Sequence, residues 1–366
     1  MNDNGPRVVI LSDAEPGRNG VGTYYEDLRA HLAAHGVQVT LFAPGLAEAR
    51  DQWLSLPLPG DGTQRLALPS PIRLRRHLHA LAPDAVIVAT PGPYGLLGGR
   101  YARTVGARLI VGMHTHLEAL STLYWGAILG RLNRWGLAAL NRRLCTRADC
   151  VVANSTDMTA VAEQCGARRT RLVGTLLPRE FLDEPLQPRG EHLERIIFVG
   201  RLAAEKCVER VIEAAERLPA LTFALAGDGP LRGEVEQAAQ RLPNLEYLGW
   251  LPRSEIRAAI DASDLLMLPS SVEAFGTVAM EAMARGRGAL ISGGCGIRDW
   301  PELARGLWTI ADGEHAAEAI ERIAGLDGKR RRERVRAGRE AVLAMNERTL
   351  ADWLALLQPA TVAAAA

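Results

Sequence analysis

The sequence predicts an α/β protein of two consecutive doubly wound domains. Nearly continuous apolar runs of strand length alternate with helix-length segments, which is typical of parallel sheets covered on both faces. This alternation stops at a proline-rich segment and then restarts. A length of 366 residues also suits two ordinary domains better than a single core.

The first half of the chain contains five predicted strands. They are VVILS (8–12), VQVTLFAP (37–44), AVIVATP (85–91), ARLIVGMH (107–114) and CVVANS (150–155). The first strand is followed by a Gly-rich loop, PGRNGVG, and by an amphipathic helix that ends at Gly36. Short apolar strands joined by helices predict a parallel sheet for this half.

The proline-rich segment LPREFLDEPLQPRGEHL (177–193) predicts a linker. We place the linker at 179–194, after a first domain of residues 1–178 and before a second of residues 195–345. The strands predicted for the second domain are IIFVG (196–200), LTFALAG (221–227), LEYLGW (245–250), DLLMLP (264–269) and GALISGG (288–294).

Charge and cysteine content exclude several classes of protein. The net charge is +1, too small for a dedicated nucleic-acid binder, although the first half is basic and contains no lysine. Five cysteines without a CxxC pair favour reduced thiols over disulfides or zinc. We expect no signal peptide and no membrane span, because no apolar run is long enough. These features predict a cytoplasmic protein.

The glycines after the first strand resemble a phosphate-binding turn. Gly17, Gly20 and Gly22 do not match the GxGxxG spacing, however, and no acid ends the second predicted strand to hold a ribose. A NAD-dependent oxidoreductase, the alternative that also has two α/β domains, is therefore disfavoured. The plainer interpretation of these glycines is a tight turn from strand to helix.

Two cations follow the first strand of the second half. Arg201 and Lys206 in GRLAAEK lie where ligands bind in doubly wound sheets, and they would suit a diphosphate. Solvated charges at a helix start are the alternative. Gly229, in the strand-end turn AGDGP, would allow a ligand to approach the backbone closely.

The segment SVEAFGTVAMEA (271–282) predicts a loop that runs into a helix. Backbone N–H groups of Phe275, Gly276 and Thr277 would offer a seat for a phosphate or sugar oxygen. Glu281 lies one turn inside the helix, where its carboxylate can accept hydrogen bonds from a vicinal diol. Glu273 and Glu281 could also be no more than favourable charges near the helix start.

Together these motifs resemble glycosyltransferase family 4, the retaining, nucleotide-sugar-dependent enzymes with the GT-B fold. The resemblance implies two facing Rossmann-like domains with a cleft between them. GRLAAEK, AGDGP, LPSSVEAFGTVAMEAMARG and MHTH stand in the family's order, and RNGVG is similar to its N-terminal glycine loop. The match covers nearly the whole chain. The region from MHTHLE to LNRRLCTRADCVVANS is similar to members that glycosylate or mannosylate lipid and envelope acceptors.

The resemblance implies a role for each candidate residue. Arg201 and Lys206 would neutralise the donor diphosphate, Glu273 would contact the transferred sugar, and His114 would lie near the reacting centre. The donor site would be lined by Gly20, Gly22, Gly229, Leu251, Phe275, Gly276, Thr277 and Glu281, with Glu281 on the ribose. No metal or other cofactor is implied, because the diphosphate itself would help to deprotonate the acceptor. A last helix within 346–366 would cross back to the first domain.

Three features depart from the family pattern. VGTLLPREF (173–181) replaces an Asn-Gly-Val-Asp turn, and GGCGIRDW (293–300) intervenes where relatives have an acid, which leaves Asp299 as a possible replacement. MHTH contains two histidines, His114 and His116, and His114 fits the family motif better. A nucleotide-sugar epimerase on the same double fold, or an inactive partner subunit, remains the alternative to a transferase.

The acceptor side would lie on the basic first domain. Arg131, Arg134 and Arg142 alternate with leucines at helical spacing, and Trp125 and Trp135 accompany them. This pattern predicts either a surface for anionic lipid headgroups at the inner face of the plasma membrane or a core helix with a solvated face. We therefore expect a UDP- or GDP-sugar donor, a lipid or glycan acceptor, and no nucleic-acid partner.

Overall fold

The computed structural model describes residues 5–17, 20–46, 52–58, 61–114, 127–187, 190 and 192–358. For residues 52, 53, 56–58, 61–66 and 127–134 it describes the backbone alone. Two six-stranded parallel sheets, one in each half of the chain, form the centre of the structure. The predicted α/β class is therefore confirmed.

The first half contains a parallel sheet and a separate hairpin. Its strands are Arg7–Leu11 (β1), Gln38–Phe42 (β2), Gln52–Leu58 (β3), Asp61–Pro69 (β4), Ala85–Val88 (β5), Arg108–Met113 (β6), Cys150–Ala153 (β7) and Thr170–Leu172 (β8). Its helices are Gly20–Ala34 (α1), Pro71–Leu81 (α2), Pro93–Val105 (α3), Ala127–Cys145 (α4), Thr156–Gln164 (α5) and Arg179–Leu182 (α6). The sheet order is β2-β1-β5-β6-β7-β8, and β3 pairs with β4 in antiparallel fashion as a separate two-stranded sheet.

The second half repeats the doubly wound plan. Its strands are Arg195–Val199 (β9), Thr222–Ala226 (β10), Leu245–Gly249 (β11), Leu265–Leu268 (β12), Gly288–Ile291 (β13) and Leu307–Thr309 (β14). Its helices are Glu209–Arg217 (α7), Arg232–Arg241 (α8), Arg253–Asp261 (α9), Thr277–Ala284 (α10), Pro301–Ala304 (α11), Ala316–Ala324 (α12) and Gly328–Leu357 (α13). The order β11-β10-β9-β12-β13-β14 reverses direction between β9 and β12, and ligands bind at such switch points.

Each face of the first sheet has its own apolar core. Successive side chains of a strand point to opposite faces, so Val9 and Leu11 pack in one cluster while Val8 and Ile10 pack in the other. All four are buried. This two-sided burial explains why the strands lack polar alternation in the sequence.

The last helix connects the two halves. It begins at Gly328, well before residue 346, because no proline interrupts it and Gly338 lets its backbone pack closely on Gly306. Near its end, the buried Trp353 Nε1 donates to the Tyr24 hydroxyl at 2.8 Å. One continuous helix thus contributes to the core of each half.

A buried arginine anchors the segment between the halves. Arg285 is fully buried and donates from Nε (2.8 Å) and Nη2 (3.0 Å) to the two carboxylate oxygens of Asp261. It also donates to the carbonyls of Glu184 at 2.7 Å and Pro185 at 2.6 Å. The connecting segment is therefore held against the second half by a paired charge.

Candidate active site

The switch point of the second sheet brings two of the predicted site residues, Lys206 and Glu273, together. Lys206 follows β9 in a short 3-10 turn, and its Nζ forms an ion pair with the Glu273 carboxylate in the loop after β12. Burial lowers the pKa of Lys206, but the adjacent Glu273 outweighs burial and holds the pKa above its ordinary value. Lys206 therefore carries a positive charge at neutral pH.

Arg201 is also paired, with a residue that is not among the candidates predicted from the sequence. Its guanidinium forms an ion pair with the nearly fully buried Glu205, four positions along the chain. The Glu205 carbonyl accepts from Ser271 N at 2.9 Å, which ties this loop to the Glu273 loop. Arg201 and Lys206 are therefore held by carboxylates and are not freely solvated.

The loop with Glu273 ends at the N-terminus of α10. Gly276 has a φ of +103°, a left-handed conformation that favours glycine, and no side chain of the described residues caps the helix. Thr277 is its first residue, so the first backbone N–H groups point out of the helix start. The Phe275 side chain, by contrast, is buried and its ring packs 6.4 Å from Trp300, as a core residue.

Glu281 lies one turn inside α10 and is held by an arginine. Arg253 Nη2, at the start of α9, donates to Glu281 Oε1 at 3.0 Å and lies 2.8 Å from Asp27 Oδ2 of α1. Burial raises the pKa of Glu281, and Arg253 partly offsets this effect. Burial also raises the pKa of Asp27, to about 7.

Gly229 serves the packing of two loops. A Cβ at Gly229 would lie 2.4 Å from the Leu202 carbonyl oxygen, and Leu202 N donates to the Asp228 carbonyl at 3.0 Å. The loops after β9 and β10 therefore touch backbone to backbone, which accounts for the glycine without a ligand. Leu251, after β11, is half-buried against the core of the second half.

The two predicted glycines of the first half open α1. A Cβ at Gly22 would lie 2.5 Å from the Glu15 carbonyl oxygen, so the strand-to-helix turn itself requires glycine there. Among the described residues, no atom lies within 4 Å of a Cβ built at Gly20. The contacts of the described residues therefore explain Gly22 by packing and do not explain Gly20.

His114 follows β6 and is buried among aromatic rings. Its Nε2 lies 2.9 Å from the Tyr25 hydroxyl, and the Tyr24 ring packs 4.7 Å from the imidazole. Burial lowers the pKa of His114 to about 3, so the ring is neutral at physiological pH. A side chain at Gly112 would collide with this pair, since a Cβ would lie 1.9 Å from the Tyr25 hydroxyl.

Several predictions concern residues that the structure does not describe in full. His116 and Trp125 lie outside the described residues, and so do the side chains of Arg131 and Arg134. Arg142 on α4 is exposed, and Trp135 is 75% exposed. Asp299 accepts from Thr156 Oγ1 at 2.8 Å, a contact between the two halves.

Sequence comparison decides the family. The family model Glycosyltransferase Family 4 matches residues 18–174, and the model Glycosyl transferases group 1 matches residues 184–341. The chain belongs to glycosyltransferase family 4. This family 4 glycosyltransferase is a hexosyltransferase with the GT-B fold, and its donor is a nucleotide-sugar.

Two curated relatives match over nearly their full length. A GDP-mannose-dependent alpha-(1-6)-phosphatidylinositol dimannoside mannosyltransferase of Mycobacterium tuberculosis is 26% identical, with 96% of this chain and 95% of the relative covered. A GDP-mannose-dependent alpha-mannosyltransferase of Mycolicibacterium smegmatis is 28% identical, with 95% and 96% covered.

A solved structure supports the fold. Sucrose-phosphate synthase from Thermosynechococcus elongatus superposes on the glycosyltransferase with a TM-score of 0.74 and 18% identity, covering 96% of this chain and 98% of that one. Within the described part of the glycosyltransferase, we find no helix with the length and apolar character of a membrane span.

Proposed function

We propose that the protein is a retaining mannosyltransferase that moves mannose from GDP-mannose to a lipid-linked acceptor in glycolipid synthesis. The observation that carries this proposal is the cluster at the switch point, where Lys206 pairs with Glu273 in the loop that leads to α10 and Arg201 pairs with the neighbouring Glu205. The two mannosyltransferase relatives favour GDP-mannose among nucleotide-sugars.

The cluster suits a departing diphosphate. Lys206 is charged at neutral pH, and Arg201 adds a planar guanidinium with several donors. The uncapped start of α10 adds backbone N–H groups and the positive end of the helix dipole. Positive groups aimed at a developing charge are the main source of rate enhancement in such chemistry, so we propose that no metal is needed.

Glu273 and His114 would handle the sugar. When a diphosphate draws Lys206 toward itself, the Glu273 carboxylate becomes available to accept hydrogen bonds from sugar hydroxyls. His114 would act as a neutral hydrogen-bonding group, because its pKa of about 3 rules out an imidazolium near pH 7. Glu281 would hold the ribose. Transfer with retention would then follow from front-face attack by the acceptor beside the leaving diphosphate.

The donor and the stereochemistry are tested together. Purified protein is incubated with GDP-mannose, UDP-glucose or UDP-galactose and a phosphatidylinositol mannoside, and proton NMR identifies the anomer of the product. We expect an α-mannoside from GDP-mannose and full activity in EDTA. A β-linked product would overturn retention, and strict dependence on a divalent ion would overturn the metal-free mechanism. Epimer formation from donor alone would favour the epimerase alternative.

The acceptor is tested by membrane binding. Exposed Arg142 and Trp135 on α4 support a surface for anionic headgroups. We expect flotation with liposomes containing phosphatidylinositol, and weaker flotation when Arg131, Arg134 and Arg142 are replaced by glutamine. Equal recovery with neutral and anionic liposomes, or none with either, would favour a soluble glycan acceptor.

A further inference from the structure

We propose that Arg253 is a positioning residue that couples occupancy of the nucleotide site to closure of the two domains. In this proposal, a ribose bound at Glu281 releases the Arg253 guanidinium toward Asp27 and strengthens the contact between the halves. The inference rests on the proposed role of Glu281 in donor binding. Neither Arg253 nor Asp27 belongs to the motifs GRLAAEK, AGDGP, LPSSVEAFGTVAMEAMARG, MHTH and RNGVG.

The geometry places one guanidinium between acids from different halves. A single nitrogen, Arg253 Nη2, lies 3.0 Å from Glu281 Oε1 of α10 and 2.8 Å from Asp27 Oδ2 of α1. Both carboxylate residues are buried, and the Arg253 guanidinium carbon lies 5.9 Å from the centre of the Phe181 ring. The aromatic face and the two acids thus fix the position of the charge.

The contact to Asp27 is close but incomplete. Within the described part of the chain, Asp27 Oδ2 accepts no hydrogen bond of good geometry, although it is near enough for an ion pair. Arg253 Nε and Nη1 are buried there without hydrogen-bond partners. One carboxylate oxygen therefore lacks donors while two donors beside it lack an acceptor. Buried polar groups in this condition are costly, so a small rotation that joins them is favourable.

Glu281 is what holds Arg253 away from that arrangement. Hydroxyl groups of a ribose that donate to the Glu281 carboxylate would replace Arg253 as its partner. The freed guanidinium can then give Asp27 two parallel hydrogen bonds, the strongest form of this ion pair. A ligand shifts the equilibrium between open and closed domains only if it interacts differently with the two states. The ion pair between Arg253 and Asp27 supplies this difference, because it exists only when the two halves are together.

The test uses the full chain at pH 8, where Asp27 is ionised. GDP affinity is measured by calorimetry, and the radius of gyration is measured by X-ray scattering with and without GDP. The variants are Asp27→Asn, Arg253→Met, the double variant and Arg253→Lys. Thr156→Val is the matched control, because it removes another hydrogen bond between the halves (2.8 Å to Asp299) that does not involve Glu281.

We expect the wild type to bind GDP and become more compact. Asp27→Asn should still bind GDP, about fivefold more weakly, and should lose the compaction. The double variant should be little worse than either single variant, and Arg253→Lys should recover part of the effect. Thr156→Val should compact normally with GDP.

Other outcomes separate this inference from the proposed function. Compaction of Asp27→Asn equal to that of the wild type, or loss of compaction in Thr156→Val as well, would overturn the role of Arg253 alone. A wild type that binds neither GDP nor UDP would overturn the donor-site assignment itself, and the coupling with it.

Discussion

Lys206 and Glu273 form an ion pair although they are 67 positions apart in the chain. They meet because β9 and β12 are neighbours at the point where the strand order reverses, and each residue lies in the loop that follows one of these strands. The pair keeps a cation and a carboxylate ready at the start of α10. A diphosphate that attracts the cation would also free the carboxylate for the sugar.

Replacement of Glu273 should separate binding from transfer. Glu273→Gln removes the charge that pairs with Lys206, so we expect GDP to bind as well as before or more tightly. Loss of the sugar contact should lower kcat by about a hundredfold. Calorimetry with GDP and a transfer assay measure the two effects. A variant that transfers at the wild-type rate would refute the assigned role.

Replacement of Glu281 should affect the ribose specifically. Glu281→Gln weakens hydrogen bonds from the diol to a charged acceptor, so GDP affinity should fall about tenfold. The sharper comparison uses 2′-deoxy-GDP. The wild type should prefer GDP to the deoxy analogue, and the variant should largely lose that preference. An unchanged preference would place the ribose elsewhere.

Loss of the Tyr25 hydroxyl should lower kcat through its effect on His114. Tyr25→Phe leaves the buried Nε2 of His114 without its partner at 2.9 Å, and we expect kcat to fall about tenfold with GDP affinity unchanged. Tyr101→Phe is the matched control, because within the described structure the buried Tyr101 hydroxyl has no hydrogen-bond partner. Equal losses of activity in both variants would indicate a general effect of a removed hydroxyl.

The buried ion pair of the connecting segment should dominate stability. Asp261→Ala leaves the fully buried Arg285 without its carboxylate, so the free energy of unfolding should fall by about 3–5 kcal/mol. Urea unfolding measures this loss. Glu236→Gln, which removes an exposed partner of Arg232, is the control and should leave the unfolding midpoint nearly unchanged. A loss no larger than that of the control would contradict the structural role of Asp261.

The titration of Asp27 should give a distinctive pH dependence. Burial raises the pKa of Asp27 to about 7. Arg253 lowers this pKa, and the carboxylates of Glu281 and Glu26 raise it. Because the folded state binds the proton of Asp27 more tightly than the unfolded state does, protonation of Asp27 favours folding. This contribution is complete at pH values below the pKa of the unfolded state and is lost as the pH rises through about 7. The wild type should therefore lose stability relative to Asp27→Asn between about pH 4 and 7 and then level off. Urea unfolding of both proteins across this range measures the difference, and a constant difference would contradict the raised pKa.

The strands that the sequence predicts are all present, but short edge elements escape the pattern. Eight of the ten predicted runs correspond to inner strands of the two sheets, which are buried on both faces and therefore almost purely apolar. The other two, β2 and β11, are edge strands that are only partly buried. Thr170–Leu172 and Leu307–Thr309 are three-residue edge strands, and the hairpin of β3 and β4 contains prolines that break the pattern. Such elements depend on their neighbours more than on their own composition.

In the candidate active site, too, the sequence predicts the residues that lie in local motifs but not their partners from distant parts of the chain. The sequence identifies Glu273, Glu281, Arg201 and Lys206, because each lies at a recognisable position relative to a strand end or helix start. It does not identify Arg253 or Tyr25 as partners of Glu281 and His114. Those partners are 28 and 89 positions away along the chain, respectively, and no local periodicity relates them.

Apolar periodicity and strand-end motifs are local properties, so the sequence alone predicts the fold class, the family and the candidate residues. Which charges face one another follows from the folded structure: Lys206 with Glu273, Arg201 with Glu205, and Arg253 between Asp27 and Glu281. These pairings cannot be predicted from a local pattern, because burial and Coulomb interactions depend on distance in space. The protonation states of His114 and Asp27 are consequences of packing that no short segment encodes.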